Sequence, residues 1–149
     1  MTDPTLYDRD FYAWANEQAA LLRAGKLSSA DIEHIAEEIE SMGRSEKREL
    51  VNRLCVLLLH LLKWRFQPGL RGNSWRLTIK EQRYRLADHL ADNPSLKATL
   101  AETTANAYRL ALVEAERETG LAESTFPSLC PWTFGQITDA EFWPGDGAH

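Results

Sequence analysis

Apolar and polar positions along this chain alternate with helical spacing, and at one place the polar positions nearly vanish. Between 54 and 62 every residue except His60 is apolar. A helix that is apolar all round belongs at the middle of a packed domain, where its lone polar side chain has to find a hydrogen-bonding partner. Helix punctuation repeats around this centre. Asp8 or Asp10 supplies the N-cap of a first helix over about 10–24, with Phe11, Trp14, Ala15, Leu21 and Leu22 in register and Gly25 just past its end. Ser28 with Asp31 resembles a capping box opening a second helix through Ile32, Ile35, Ala36, Ile39 and Met42, which Gly43 ends or kinks. Ser45 caps a third helix through Leu50, Leu54, Leu57, Leu58, Leu61 and Trp64, as far as Pro68 and Gly69. Ser74 caps a fourth, with Trp75, Ile79, Leu86 and Leu90 on one side and Arg76, Lys80 and Arg83 on another. Asn93 and Pro94 open a fifth and longest helix, with Leu96, Leu100, Ala107 and Ala111 inward and Gly120 at its end.

The segment after Leu121 is rich in proline, yet Phe126, Trp132, Phe134, Phe142 and Trp143 make it too apolar for a disordered extension. It is expected to pack back onto the helices as a lid. Strand-length alternation, internal repeats and interdomain linkers are missing from the pattern. The expectation is an all-α fold: a single domain over 1–149, a bundle of about five helices with an aromatic C-terminal tail packed on it. A chain of 149 residues with 44% hydrophobic content is large enough to bury roughly 70% of its unfolded surface. The acidic amino terminus lacks the apolar core of a secretion signal, and no apolar run approaches the roughly 20 residues that span a bilayer. A cytoplasmic protein without membrane contact is expected. Cys55 and Cys130 have neither the spacing of a metal knuckle nor the number for a disulfide framework, so both read as reduced thiols.

Charge changes the picture. The formal net charge is −5, but the stretch 63–85 carries +6, leaving −11 for the remainder. Lys63, Arg65, Arg71, Arg76, Lys80 and Arg83 interleave with Trp64, Phe66, Trp75 and Tyr84, a combination that binds anions or stacks nucleic-acid bases. These six cations are the candidate anion- or partner-binding residues. Against nucleic acid stand the pI of 5.4 and the acidic stretch 31–40, whose Asp31, Glu33, Glu37, Glu38 and Glu40 offer the same cations internal ion pairs. His34, His60 and His89 fall on three expected helices, as an interior metal site would require, but the paired Glu-x-x-His elements of a di-iron bundle are missing and histidines in apolar helices are usually hydrogen-bonded core. His60 in particular reads as structural. Glu37 and Glu38 point about 100° apart on a helix, so adjacency in sequence does not make them an acid–base pair. No catalytic residue, metal ligand or cofactor is assigned.

Several segments together resemble one family. They are residues 10–14, Asp-Phe-Tyr-Ala-Trp; 36–44, Ala-Glu-Glu-Ile-Glu-Ser-Met-Gly-Arg; 60–64, His-Leu-Leu-Lys-Trp; 74–76, Ser-Trp-Arg; Gln82-Arg83; 94–96, Pro-Ser-Leu; 118–121, Glu-Thr-Gly-Leu; Phe126-Pro127 and Cys130-Pro131. In this order they are similar to the bacterial Domain of Unknown Function 29 family, from about Tyr7 to Pro144. The resemblance implies a small all-helical protein of cyanobacteria and proteobacteria and carries over no activity, cofactor or site residue. At Gly135 the chain departs from the bulkier residue of the family pattern, which bears on the length of any helix starting at Thr133. The functional reading that fits best is a non-enzymatic helical interaction or scaffold protein with an unidentified protein partner. The alternatives are nucleic-acid or anion binding through the 63–85 face, and a metal-dependent helical enzyme built on the three histidines.

Overall fold

The structure, a computed structural model, describes residues 5–145, and its regular elements are α-helices and 3-10 turns, with no strand among the described residues. α1 (Leu6–Arg9) starts where the Thr5 hydroxyl accepts the Asp8 N–H, and α2 (Phe11–Arg23) where the Asp10 carboxylate accepts that of Ala13 at 3.0 Å. Past α2, Gly25 takes a φ of +72°, and the Gly25 and Lys26 N–H groups turn back onto the carbonyls of Leu22 and Leu21. That left-handed conformation disfavours any residue with a Cβ.

Ser28 lies in the 3-10 turn Leu27–Ser29, so the expected capping box does not form; Asp31 alone caps the next helix, accepting the His34 N–H at 3.3 Å. That helix, α3 (Ile32–Phe66), joins the expected second and third helices into one of 35 residues. Gly43 neither ends nor caps it, and Ser45 sits inside it. An internal glycine costs about 1 kcal/mol against alanine, too little to interrupt a helix whose C-terminal half carries eight buried side chains. α4 (Asn73–Asp92) starts one residue before Ser74, with extended Gly72 as its N-cap. Asn93 does not cap the following helix: its amide donates back to the His89 carbonyl at 3.1 Å, and Pro94–Thr99 forms a 3-10 turn before α5 (Leu100–Thr119). The Asn93 side chain, spent on the carbonyl of the preceding helix, leaves the N–H groups after Pro94 without a side-chain cap. Gly120, φ +74°, follows α5. α6 (Phe134–Thr138) is five residues long and opens on a capping box of Thr133 and Gln136.

The described residues therefore form six α-helices, four of them long, where about five were expected. They group into two compact units, Met1–Ser45 and Glu46–His149, divided inside α3. In the first, Trp14 and Gln18 of α2 are buried and the rings of Tyr7, Phe11, Trp14 and His34 cluster, Tyr7 stacking on His34 at 4.0 Å. Polar bonds fasten this small core: Trp14 Nε1 donates to Asp31 Oδ2 at 3.1 Å, Asp31 N to Gln18 Oε1 at 2.7 Å, and the Tyr7 hydroxyl to Glu38. Glu38 pushes the Tyr7 phenol up to about 12.

The second unit holds the apolar centre. Leu50, Leu54, Leu57, Leu58, Leu61 and Leu62 of α3 are fully enclosed, with Ile79 and Leu86 of α4, Ala107, Ala111 and Ala115 of α5, and Ile137 of α6. The alanines let α5 approach closely. The aromatic tail belongs to this core as expected: Phe126 and Trp132 are buried, Phe134, Phe142 and Trp143 half-buried. Phe126 meets Phe66 edge-on at 5.3 Å, Trp143 meets Trp64 at 4.7 Å, and the Tyr108 hydroxyl donates to the Pro127 carbonyl at 2.6 Å.

Candidate functional site

The basic stretch does two jobs. Lys63 is buried near the end of α3, with Nζ 2.8 Å from Glu118 Oε1 of α5 and 5.1 Å from the centre of the Trp75 ring. Arg65 lies against the Phe66 ring. Arg71, between α3 and α4, donates from Nε to the Trp64 carbonyl at 2.7 Å and from Nη2 to that of Pro144 at 3.4 Å. Arg83 is buried in α4, donating from Nε to the Ile137 carbonyl at 2.8 Å and from Nη2 to the Phe142 carbonyl at 2.7 Å, with Trp143 against its guanidinium. Burial pushes the Arg83 guanidinium below its ordinary value, and the two carbonyls supply the hydrogen bonds a buried charge requires. Arg71 and Arg83 thus fasten the tail from two sides.

Arg76 and Lys80 differ. Both are exposed and sit one turn apart on α4. Arg76 is held by Asn73 Oδ1 at 2.7 and 3.2 Å, a neutral partner, and among the described residues Lys80 has no carboxylate within ion-pair distance. With Arg83, Tyr84, Ala140 and Trp143 they line a cleft of about 250 Å³. Two exposed cations beside aromatic rings suit a carboxylate or phosphate joined to an apolar group. The stretch 31–40 engages nearer partners than those expected of it: Asp31 binds His34 and Trp14, Glu38 binds Tyr7, and Glu40 lies 3.9 Å from Arg44.

The three histidines do not gather. His34 and His60 lie on one helix, α3, roughly seven turns apart, because the helices expected to carry them separately are continuous. His34 Nδ1 is 2.7 Å from Asp31 Oδ2; this bond raises the imidazole above its ordinary value and lowers the carboxyl. His60, half-buried, donates from Nδ1 to the Val56 carbonyl at 2.8 Å, and burial pushes it down. His89 is buried, with Nε2 2.8 Å from the Glu46 carbonyl oxygen and Nδ1 3.2 Å from Glu49 Oε2. Glu46, Glu49 and His89 bring three ligand atoms within 4.8 Å of one another and form, among the described residues, the group able to hold a metal ion. Glu46 and Glu49 escaped sequence reasoning, although their i, i+3 spacing puts both on one face of a helix. A second cleft, about 780 Å³, opens between α5 and the tail at Thr104, Arg109, Trp132 and Phe134, where the Thr104 hydroxyl is buried without a hydrogen-bond partner among the described residues. The Cys55 and Cys130 thiols are free, and burial raises both.

Fold and cleft together define an all-helical protein with a basic, aromatic-lined cleft. Among the described residues no helix is long and apolar enough to cross a membrane. The family model described as Domain of unknown function DUF29 matches residues 6–143, and the chain belongs to that family. No curated protein and no solved structure gives a significant match.

Proposed function

We propose that this is a non-enzymatic helical interaction protein that receives an acidic segment of a partner protein in the cleft of Arg76, Lys80 and Arg83. The observation that carries the reading is the division of the basic stretch. Lys63, Arg71 and Arg83 spend their charge on internal partners, whereas Arg76 and Lys80 stand exposed beside Tyr84 and Trp143. A carboxylate side chain meets the two cations, and an aromatic or aliphatic neighbour of it meets the rings. Two exposed cations are few for a nucleic-acid track, and the net charge of −5 opposes a polyanion. Nucleic-acid binding through the same cleft is the second reading, favoured by the rings lining it. A cytoplasmic setting accords with two free, partly buried thiols, and the unbroken run of α3 supports treating 1–149 as one domain.

The test uses fluorescently labelled peptides of alternating glutamate and phenylalanine, a lysine–phenylalanine control, and labelled single-stranded DNA, each at about 50 and 200 mM salt. Binding of the acidic peptide alone, weakened at least tenfold by Arg76→Glu with Lys80→Glu, supports the proposal. DNA binding that falls steeply with salt transfers the cleft to the nucleic-acid reading. Equal binding of acidic and basic peptides, or no effect of the double substitution, overturns it.

A further inference from the structure

His89 stands in the last turn of α4 and is 7% exposed, so both of its ring nitrogens need partners. Nε2 lies 2.8 Å from the Glu46 carbonyl oxygen, an atom that only accepts, so Nε2 carries the ring hydrogen. In the neutral ring Nδ1 then directs a lone pair toward Glu49 Oε2 at 3.2 Å and Glu46 Oε2 at 3.7 Å. Lone pairs on three atoms converge on one point. Such convergence calls for positive charge among the three atoms, supplied by a metal ion or by a proton on Nδ1.

We infer that Glu46, Glu49 and His89 form a binding site for a divalent transition-metal ion, with Zn²⁺ the type case, bracing the middle of α3 to the end of α4. An ion about 2.0–2.2 Å from each ligand atom at tetrahedral angles sets neighbouring ligands roughly 3.3–3.6 Å apart, and the two distances observed from Nδ1 bracket that range. The surroundings hold the ligands as metal ligands are held. The Glu46 carbonyl fixes the other ring nitrogen, Arg53 takes Glu49 Oε1 at 2.6 and 3.2 Å and leaves Oε2 for the ion, and Asn93 Nδ2 lies 3.5 Å from Glu46 Oε2. Two carboxylates balance a dication. An imidazole nitrogen among three ligands favours zinc and its transition-metal neighbours iron, nickel and copper over magnesium and calcium, which prefer all-oxygen shells. Glu46 is half exposed, which gives the ion an entry path and leaves a fourth position to water. Unlike the three-histidine arrangement, the site takes two carboxylates from the middle of α3 and one imidazole from the last turn of α4.

Pairing of a protonated His89 with the two carboxylates is the rival account of the same geometry, and it requires no metal. The full chain, stripped with a chelator, is titrated with Zn²⁺ by calorimetry and with Co²⁺ by visible absorbance, and its melting temperature is recorded with and without Zn²⁺. The expected result is one equivalent bound, visible ligand-field bands from Co²⁺ and a melting temperature several degrees higher with saturating Zn²⁺. Glu46→Gln should lower Zn²⁺ affinity at least tenfold while the metal-free melting temperature stays within a few degrees, its side chain being half exposed; His34→Gln should leave affinity unchanged. His89→Gln should abolish the Co²⁺ bands. Absence of Zn²⁺ binding by the folded parent chain, equal affinity in Glu46→Gln, or loss of affinity in His34→Gln overturns the proposal.

Discussion

One residue type meets opposite environments at His34 and His60. The Asp31 carboxylate raises His34, and burial lowers His60. A raised imidazole contributes stability that is fully present below its unfolded value, about 6.5, and lost as pH climbs through the folded value. Asp31 is lowered by the His34 hydrogen bond, so its contribution is present above about 4 and lost as pH falls through its folded value. The Asp31–His34 bond is thus strongest between about pH 4 and 6.5. His60 runs the other way: its contribution is present above about 6.5 and fades as pH falls through the lowered folded value. Proton NMR titration should give midpoints on opposite sides of 6.5, His34 above and His60 below, and Asp31→Asn should bring the His34 midpoint down without moving that of His60. The Asp31-x-x-His34 spacing is legible in the sequence. The Val56 carbonyl that engages His60 is not, because every residue carries the same acceptor and only the helix turn selects this one.

At the scale of the element, glycine read alone misleads. Gly25 and Gly120 follow helices with positive φ, whereas Gly43 lies inside α3 with nothing within 4 Å of where a Cβ would stand. Gly43→Ala should therefore stabilise the protein by about 0.5–1 kcal/mol, and Gly120→Ala should destabilise it by about 1 kcal/mol, read from midpoints of denaturant unfolding. An equal effect of the two would contradict the continuity of α3. Helix existence was legible, and so was the apolar face from Leu50 onward, since Leu50, Leu54, Leu57 and Leu61 are all enclosed; Ile32, Ile39 and Met42, set at the same helical spacing, are exposed. Helix limits were less so: Ser28, Ser45, Ser74 and Asn93 are all residue types that cap, and none of them caps the helix expected of it, because caps compete with turn bonds that spacing does not reveal.

For the whole second unit, the tail closes the core. Phe126 and Trp132 are 4% and 7% exposed; each ring buries about 150 Å² or more, so at roughly 25 cal/mol/Å² the two contribute about 7 kcal/mol. That is comparable with the whole stability of a domain this size. A chain ending at Ala122 should be aggregated or lack a cooperative melting transition by circular dichroism. Arg83→Met, which keeps apolar bulk but drops the bonds to Ile137 and Phe142, should cost about 2–4 kcal/mol. The central leucines and the buried tail could both be read from composition and periodicity. What could not be read was the purpose of the arginines: their acceptors are backbone carbonyls, which leave no mark in a sequence, so Arg71 and Arg83 looked the same as the exposed cations Arg76 and Lys80. The clefts were equally hidden, since Lys80 and Trp143 meet only through the fold.

The order in which a ribosome makes these parts gives the tail a further consequence. Leu62 emerges long before Trp132 and Pro144, and at about 5–20 residues per second the interval lasts roughly 4 to 16 s. During it the leucines of α3 gain first α4 and then α5 to meet but still no lid, so the nascent chain presents an open apolar seam to its surroundings. Closure waits until the stretch 126–144 has been synthesised, and any chaperone that tends this chain has its task at that seam.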